Sequence, residues 1–163
     1  ASDVYKRQID EARAKGAYPI LVTPTSRRRF DENGKSVNTH GDYPDAVRWV
    51  AAKENVPLIE LNGMTATLFN ALGVDNSTKA FVHYPAGTFP GQTKALKDNT
   101  HFSTYGAYEV AKCVIEGMKK ANLEIAKYLR PDYKGFDPAQ PDSFESFKWN
   151  LCSFTENEKP DGN

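Results

Sequence analysis

Tyr18-Pro-Ile-Leu-Val-Thr23 and, further on, Val56-Pro-Leu-Ile-Glu-Leu61 decide how this chain folds. Each is a short apolar run with β-branched residues, and each reads as a buried strand. Between them Asp42 stands in an N-cap position, Pro44 falls in the first turn, and Asp45 suits the positive end of a helix dipole. Ala46, Val47, Val50 and Ala51 then recur at helical spacing up to about Glu54. Strand, helix, strand in this order is a βαβ unit, with parallel strands and a right-handed crossover. The expected class is α/β, in which ligands sit beyond the carboxyl ends of the strands.

Outward from that unit, Asp3 to Lys15 reads as a helix stopped by Gly16. Thr25 to Gly41, which holds Arg27-Arg28-Arg29 and Asn33-Gly34, is a long loop, either functional or disordered. A further helix is expected over Met64 to Leu72, ended by Gly73. Val74 to Thr100 reads as irregular, with one brief extended stretch at Ala80 to Tyr84. Ser103 caps a long helix expected to reach about Leu129, with an apolar stripe of Ala107, Val110, Ala111, Val114, Met118, Ala121, Ile125 and Leu129. The tail from Asp132 to Asn163 carries Phe136, Phe144, Phe147, Trp149 and Phe154, a density that predicts packing on the domain.

The 163 residues suit one domain of ordinary size. With 21 basic and 21 acidic side chains the charge is balanced, which argues against nucleic acid or an anionic membrane as partner. A mean hydropathy of -0.62 with 12% aromatic residues fits a globular chain. No apolar run approaches the roughly 20 residues of a membrane span, and the first 15 residues contain no apolar core of a signal peptide. Cys113 and Cys152 allow at most one intramolecular disulfide, leave the redox compartment open, and offer no metal spacing.

The chemistry-bearing residues are few. In Asp98-Asn99-Thr100-His101 a carboxylate three residues ahead of a histidine can hold its Nδ1 and leave Nε2 free as a general base. The same residues also read as a surface turn entering a helix. His40 and Asp42, in Asn38-Thr-His-Gly-Asp42, either line a ligand site or serve the loop and the helix cap. His83 reads as a packed, hydrogen-bonded side chain. The arginine run binds anionic sugars or phosphate, or else is a solvated loop held by nearby acids. No H-x-x-x-H or C-x-x-C pattern marks a metal site. A histidine base needs a nucleophile, yet there is no Gly-x-Ser-x-Gly elbow and no glycine-rich phosphate loop. Ser26 follows the first strand without the glycines that would expose it on a strained turn.

Three ordered blocks carry a resemblance to a known family: Pro24-Thr-Ser-Arg-Arg-Arg-Phe30, Asn38-Thr-His-Gly-Asp-Tyr-Pro-Asp45 and Asp98-Asn-Thr-His-Phe-Ser-Thr-Tyr-Gly-Ala107. They resemble the rhamnogalacturonan acetylesterase branch of the SGNH (GDSL-type) hydrolases, over roughly Ile9 to Leu129. The resemblance implies a flavodoxin-like three-layer α/β/α fold and serine-type hydrolysis of acetyl esters on pectic or other plant polysaccharides, without metal or organic cofactor. It places the triad acid and base on Asp98 and His101, and it makes Arg28, His40 and Asp42 candidates for binding substrate. The family's Gly-Asp-Ser nucleophile block and its glycine and asparagine oxyanion donors lie before the first strand seen here, and none is found in this chain. The implied organisation is a non-native leader at residues 1–8, the C-terminal part of a hydrolase domain at 9–130, and a tail at 131–163. Asp3-Val-Tyr-Lys-Arg-Gln8 looks like a translated adapter remnant, and Lys159-Pro-Asp-Gly-Asn163 like the end of bacterial members.

The family setting implies a secreted or periplasmic protein, and this chain alone is expected to be inert toward esters. Two other functions fit the residues. One is a carbohydrate-binding accessory module that keeps the loops without the chemistry, for which Asp98 and His101 would be dispensable. The other is a structural partner that self-associates through an exposed sheet edge.

Overall fold

The computed structural model describes residues 2–149. Helix α1 (Ser2–Ala14) leads to strand β1 (Leu21–Val22), helix α2 (Tyr43–Lys53), strand β2 (Leu58–Ile59) and helix α3 (Leu61–Asn76). A 3-10 turn (Ser77–Ala80) then enters strand β3 (Phe81–Tyr84), strand β4 (Leu96–Phe102) and helix α4 (Thr104–Lys120). The βαβ reading holds: β1 runs parallel to β2, with Leu21 opposite Leu58 and Val22 opposite Ile59. The class is therefore mixed α/β, with a parallel pair and an antiparallel β3–β4 pair.

β1 is less buried than its apolar run predicts. Side chains alternate across a strand, and here Tyr18 is 95% exposed while Ile20 and Val22 are also exposed. Leu21 and Thr23 donate their N–H groups to Pro57 and Ile59 on the β2 side, and among the described residues no strand pairs with the other edge. The end of β1 is pinned more firmly. Thr23 is fully buried, its Oγ1 accepts the Asn62 N–H at 2.8 Å, and Asn62 Nδ2 donates to the Pro24 carbonyl at 3.0 Å. Glu60, at the α3 N-cap, takes a two-pronged bond from Arg48 of α2 at 2.6 and 2.7 Å, tying both helices to the strand ends.

Helix ends follow from backbone chirality. Gly16, Asn55 and Asn122 all take positive φ just past a helix, where glycine and asparagine are least strained. At Asn122 the Leu123 N–H reaches back to the Met118 carbonyl and the Asn122 N–H to the Lys119 carbonyl, a Schellman stop. This corrects the long helix expected to reach Leu129: α4 ends at Lys120, and Glu124–Tyr128 is a separate 3-10 turn. Gly73 breaks the α3 period as expected, at φ 72°.

The main core joins Ile59, Leu68, Phe69, Ala80, Phe81, Tyr105, Val110 and Cys113. Fully burying each large apolar side chain contributes about 1.5–3 kcal/mol. The buried face of α4 differs from the expected stripe, since Ala107 and Ala111 are exposed. It runs instead through Gly106, Val110, Cys113 and Gly117, with Glu109 and Lys112 beside it. The glycines permit the contact: a Cβ on Gly106 would stand 1.8 Å from the Ala80 carbonyl oxygen, and one on Gly117 2.5 Å from an Ile59 methyl. Burial pushes the Cys113 thiol up to about 12, which leaves it protonated and unreactive.

The segment after α4 lies against that helix. Phe136 and Phe147 pack on the core, and the Tyr105 hydroxyl donates to the Asp142 carbonyl at 2.6 Å. Lys112 Nζ sits between Glu109 at 2.9 Å and Asp142 at 2.7 Å, over the rings of Phe136 and Tyr108. Glu109 is fully buried, and desolvation, partly offset by Lys112, holds its carboxyl above the usual range. Phe144 and Trp149 are exposed, while Phe154 and Cys152 lie outside the described residues.

Two substitutions test this packing. Gly106→Ala is expected to cost about 1–3 kcal/mol through overpacking, whereas Ala111→Ser on the open face changes stability by less than about 0.5 kcal/mol. Urea midpoints measure both. Lys112→Ala strands the buried Glu109 carboxylate and is expected to cost about 3–5 kcal/mol, with Glu109→Gln, Lys112→Ala recovering part of that loss.

Candidate functional site

The sequence places Asp98-Asn-Thr-His101 on a loop, and here the structure corrects it: the four residues lie within β4, as a bulge. Phe81 pairs with Phe102 and His83 with Lys97, so five steps along β4 face two steps along β3. The surplus of three residues must leave the ladder. Polar residues without alternation hid this strand, because a bulged strand has no period of two to read.

One carboxylate closes the bulge. Asp98 Oδ1 accepts the backbone N–H groups of Thr100 at 2.7 Å and His101 at 2.9 Å, an Asx-type turn. Its other oxygen, Oδ2, accepts from His101 Nδ1 at 2.6 Å. These bonds, the His101 amide first and then its ring, hold the Asp98 carboxyl at about 2. Asp98 is thus ionised at neutral pH and fixes the imidazole with its proton on Nδ1, leaving Nε2 without a partner among the described residues, on a side chain 77% exposed.

Asn99 ties the bulge to its surroundings. Its Oδ1 accepts from Arg28 Nη1 at 3.1 Å and from His83 Nε2 at 2.8 Å, and its carbonyl accepts the Arg28 N–H at 2.9 Å. His83 is thereby a hydrogen-bonded partner of the bulge. Sequence reading passed over Asn99, although its place inside Asp-x-x-His was the available signal.

The remaining candidates take other places. Arg28 is a strut: Nε donates to Ser77 Oγ at 3.0 Å and Nη2 to the Val74 carbonyl at 2.5 Å, and desolvation lowers its pKa. His40 donates from Nε2 to the Thr25 carbonyl at 2.8 Å, closing the loop from β1 to α2. That loop is ordered, with a bridge between Phe30 and Ser36 and a turn at Gly34. Asp42 holds the N-cap position of α2, but its side chain makes no capping bond, because its ψ near 0° departs from the extended backbone that such a cap needs. It is exposed, and no hydrogen bond joins it to Asp98 or His101 among the described residues. Ser26 is buried with its hydroxyl on the Asn62 carbonyl, which excludes it as an exposed nucleophile. Among the described residues no three His, Cys, Asp or Glu side chains cluster to hold a metal, and no helix is long and apolar enough to cross a membrane.

No family model matches the chain. It is similar to the rhamnogalacturonan acetylesterase RhgT of Bacillus subtilis (strain 168), with 44% identity over 120 residues, 74% of this chain and 52% of the relative. It is also similar to the probable rhamnogalacturonan acetylesterase YesY of the same organism, with 35% identity over 124 residues, 76% of this chain and 52% of the relative. The chain spans about half the length of these curated relatives. The crystal structure of the Bacillus subtilis protein YXIM matches with a TM-score of 0.61 and 23% identity, over 76% of this chain and 31% of that one, a likeness of fold alone. Together the relatives support an SGNH-type, rhamnogalacturonan acetylesterase-like family for the matched part of the chain.

The depressed Asp98 carboxyl carries a pH signature. A carboxylate whose pKa is lowered by folding stabilises the fold above its unfolded value near 3.9, and that contribution is lost as pH falls toward the folded value of about 2. Asp98→Asn is therefore expected to be less stable than the parent at pH 6, with the gap closing as pH falls through 4 to 2. Urea midpoints across that range check it, and a gap that stays constant contradicts the assignment.

Proposed function

We propose that this chain supplies the acid and base of a serine-type carbohydrate O-acetyl esterase acting on an acetylated pectic polysaccharide of the rhamnogalacturonan type. The single observation that carries the reading is the 2.6 Å bond from His101 Nδ1 to Asp98 Oδ2, on a chain whose relatives are named for that activity. The serine and the oxyanion donors come from a part of the enzyme outside this sequence.

The chemistry follows from the bonding. Asp98 is anionic, so it orients the imidazole and stabilises the imidazolium that forms when Nε2 takes a proton. A serine hydroxyl brought to Nε2 would lose its proton as it attacks the acetyl carbonyl, and His101 would return that proton to the departing sugar hydroxyl. Donors to the tetrahedral oxyanion are worth about 3–4 kcal/mol each where measured. A chain without the family's nucleophilic serine and oxyanion donors has little rate enhancement left, so it is expected to be inert alone.

An alternative, a carbohydrate-binding accessory module, is favoured by the open groove beside the bulge, lined by Arg27, Arg29 and Thr100. The two readings separate on one chimera, in which residues 9–129 replace the matched segment of the RhgT relative. Turnover of p-nitrophenyl acetate is expected from the chimera and not from this chain alone. His101→Ala is expected to lower it by at least ~1000-fold. An unchanged rate in that variant refutes the catalytic assignment and leaves the binder.

A further inference from the structure

The bulge is held in two different ways. Asp98 fixes its inside, spending both carboxylate oxygens on Thr100 and His101, which belong to the bulge themselves. Those bonds set the ring against the turn but leave the turn free to swing against the rest of the protein. The pairing of β3 with β4 does not stop it, because the paired positions are Lys97 on one side and Phe102 on the other. Among the described residues, the one side chain of the bulge that hydrogen-bonds outside it is Asn99.

Its partners come from two elements distant in sequence. Arg28, in the loop after β1, donates from Nη1 to Asn99 Oδ1 at 3.1 Å and from its own backbone N–H to the Asn99 carbonyl at 2.9 Å. His83, on β3, donates from Nε2 to the same Oδ1 at 2.8 Å. Two donors on one oxygen occupy both of its lone pairs and fix which way the amide faces. Arg28 is immobilised at its far end by the Val74 carbonyl and by the hydroxyl of Ser77, a fully buried residue. It is a brace from the turn before β3 to the bulge, and Asn99 is where the brace takes hold.

We infer that Asn99 is a positioning residue for the esterase chemistry, one that passes the Arg28 and His83 anchors on to His101 and sets the line along which Nε2 meets the serine hydroxyl. The inference rests on the esterase reading and adds a residue that acts through His101 without touching substrate. Proton transfer needs the hydroxyl within hydrogen-bond reach of the ring nitrogen, and a misplacement of about 1 Å can cost about 100-fold in rate. An imidazole 77% exposed has little packing of its own, so its place depends on the turn that carries it. Asn99 stands in the middle of that turn. Tying it down restricts the open forms in which water competes with Asp98 for the Nδ1 proton.

The ring itself provides the test. Nitrogen–proton NMR spectra of this chain at about pH 8.5, above the ordinary histidine range, show which nitrogen of each neutral imidazole carries the proton. His101 is expected in the Nδ1–H form that its bond to Asp98 requires, against the Nε2–H form that imidazole favours in water. Asn99→Ala is expected to lower the ratio of Nδ1–H to Nε2–H at His101 at least threefold. Asn99→Asp, which keeps an oxygen for both donors, is expected to hold the parent ratio, and Arg28→Lys, which lacks the guanidinium fork, to lower it. His40, bonded to the Thr25 carbonyl at the start of the loop that holds Arg28, is the control, and its ring resonances are expected to stay in place. A His101 ratio unchanged in Asn99→Ala overturns the inference, and so does a fall accompanied by displaced His40 resonances, since the whole loop has then loosened. In the chimera, Asn99→Ala is expected to lower kcat for p-nitrophenyl acetate at least tenfold and to leave KM within about twofold. A raised KM with kcat unchanged overturns the positioning role, because Asn99 is then a substrate contact. An unchanged rate in His101→Ala refutes the esterase reading and with it the catalytic use of Asn99, while the ratio on this chain still reports the anchor.

Discussion

The start of α4 fixes the geometry on which the site depends. Gly106 lets the helix rest against the Ala80 carbonyl, Ser103 donates its N–H to that carbonyl at 3.1 Å, and its hydroxyl donates to the Lys79 carbonyl at 2.6 Å. The same hydroxyl accepts the Gly106 N–H as the helix cap. This junction locks Phe102 opposite Phe81, and the rings of Phe69, Phe81 and Phe102, with centroids 5.0 to 6.3 Å apart, cement it. With His83 also fixed against Lys97, the extra residues of β4 have one place to go. The bulge that carries Asp98 and His101 is a remainder forced out between two firm pairings.

That origin explains the division of labour around it. Asp98 works three times, closing the turn through two amides and orienting the imidazole through its second oxygen. Asn99 fastens the outside of the bulge to Arg28 and His83. A dyad on a plain loop would depend on its own hydrogen bond for position. Here backbone pairing, an aromatic cluster and a buried helix cap supply the rigidity, and the exposed imidazole inherits it.

The parts legible in the sequence were those in which local pattern and tertiary role agree. The apolar runs at Ile20 to Val22 and Leu58 to Leu61 announced a parallel pair, Ser103 announced a cap, and Asp-x-x-His announced a carboxylate within reach of the histidine Nδ1. What escaped were residues whose role depends on a distant neighbour. Gly106 and Gly117 look like weak points of a helix until Ala80 and Ile59 are set beside them. Glu109 and Lys112 are charged residues of that helix outside its expected stripe, yet Asp142 and two aromatic rings hold them as an ionic anchor. Asn55 and Asn122 end helices by adopting a backbone conformation that composition does not advertise. Arg28, one of three identical letters, differs from its neighbours only because Ser77, Val74 and Asn99 surround it.

The open side of β1 has a consequence for the chain as a solute. Ile20 and Val22 stand exposed beside Tyr18, along an edge that β2 does not cover. An uncovered edge is a template for any extended segment, and its apolar flank makes that encounter favourable without specific recognition. With equal numbers of acidic and basic side chains, no long-range repulsion holds like molecules apart near neutral pH. The strand that organises the fold is thus also the one that, among the described residues, leaves a row of backbone donors and acceptors without a strand partner.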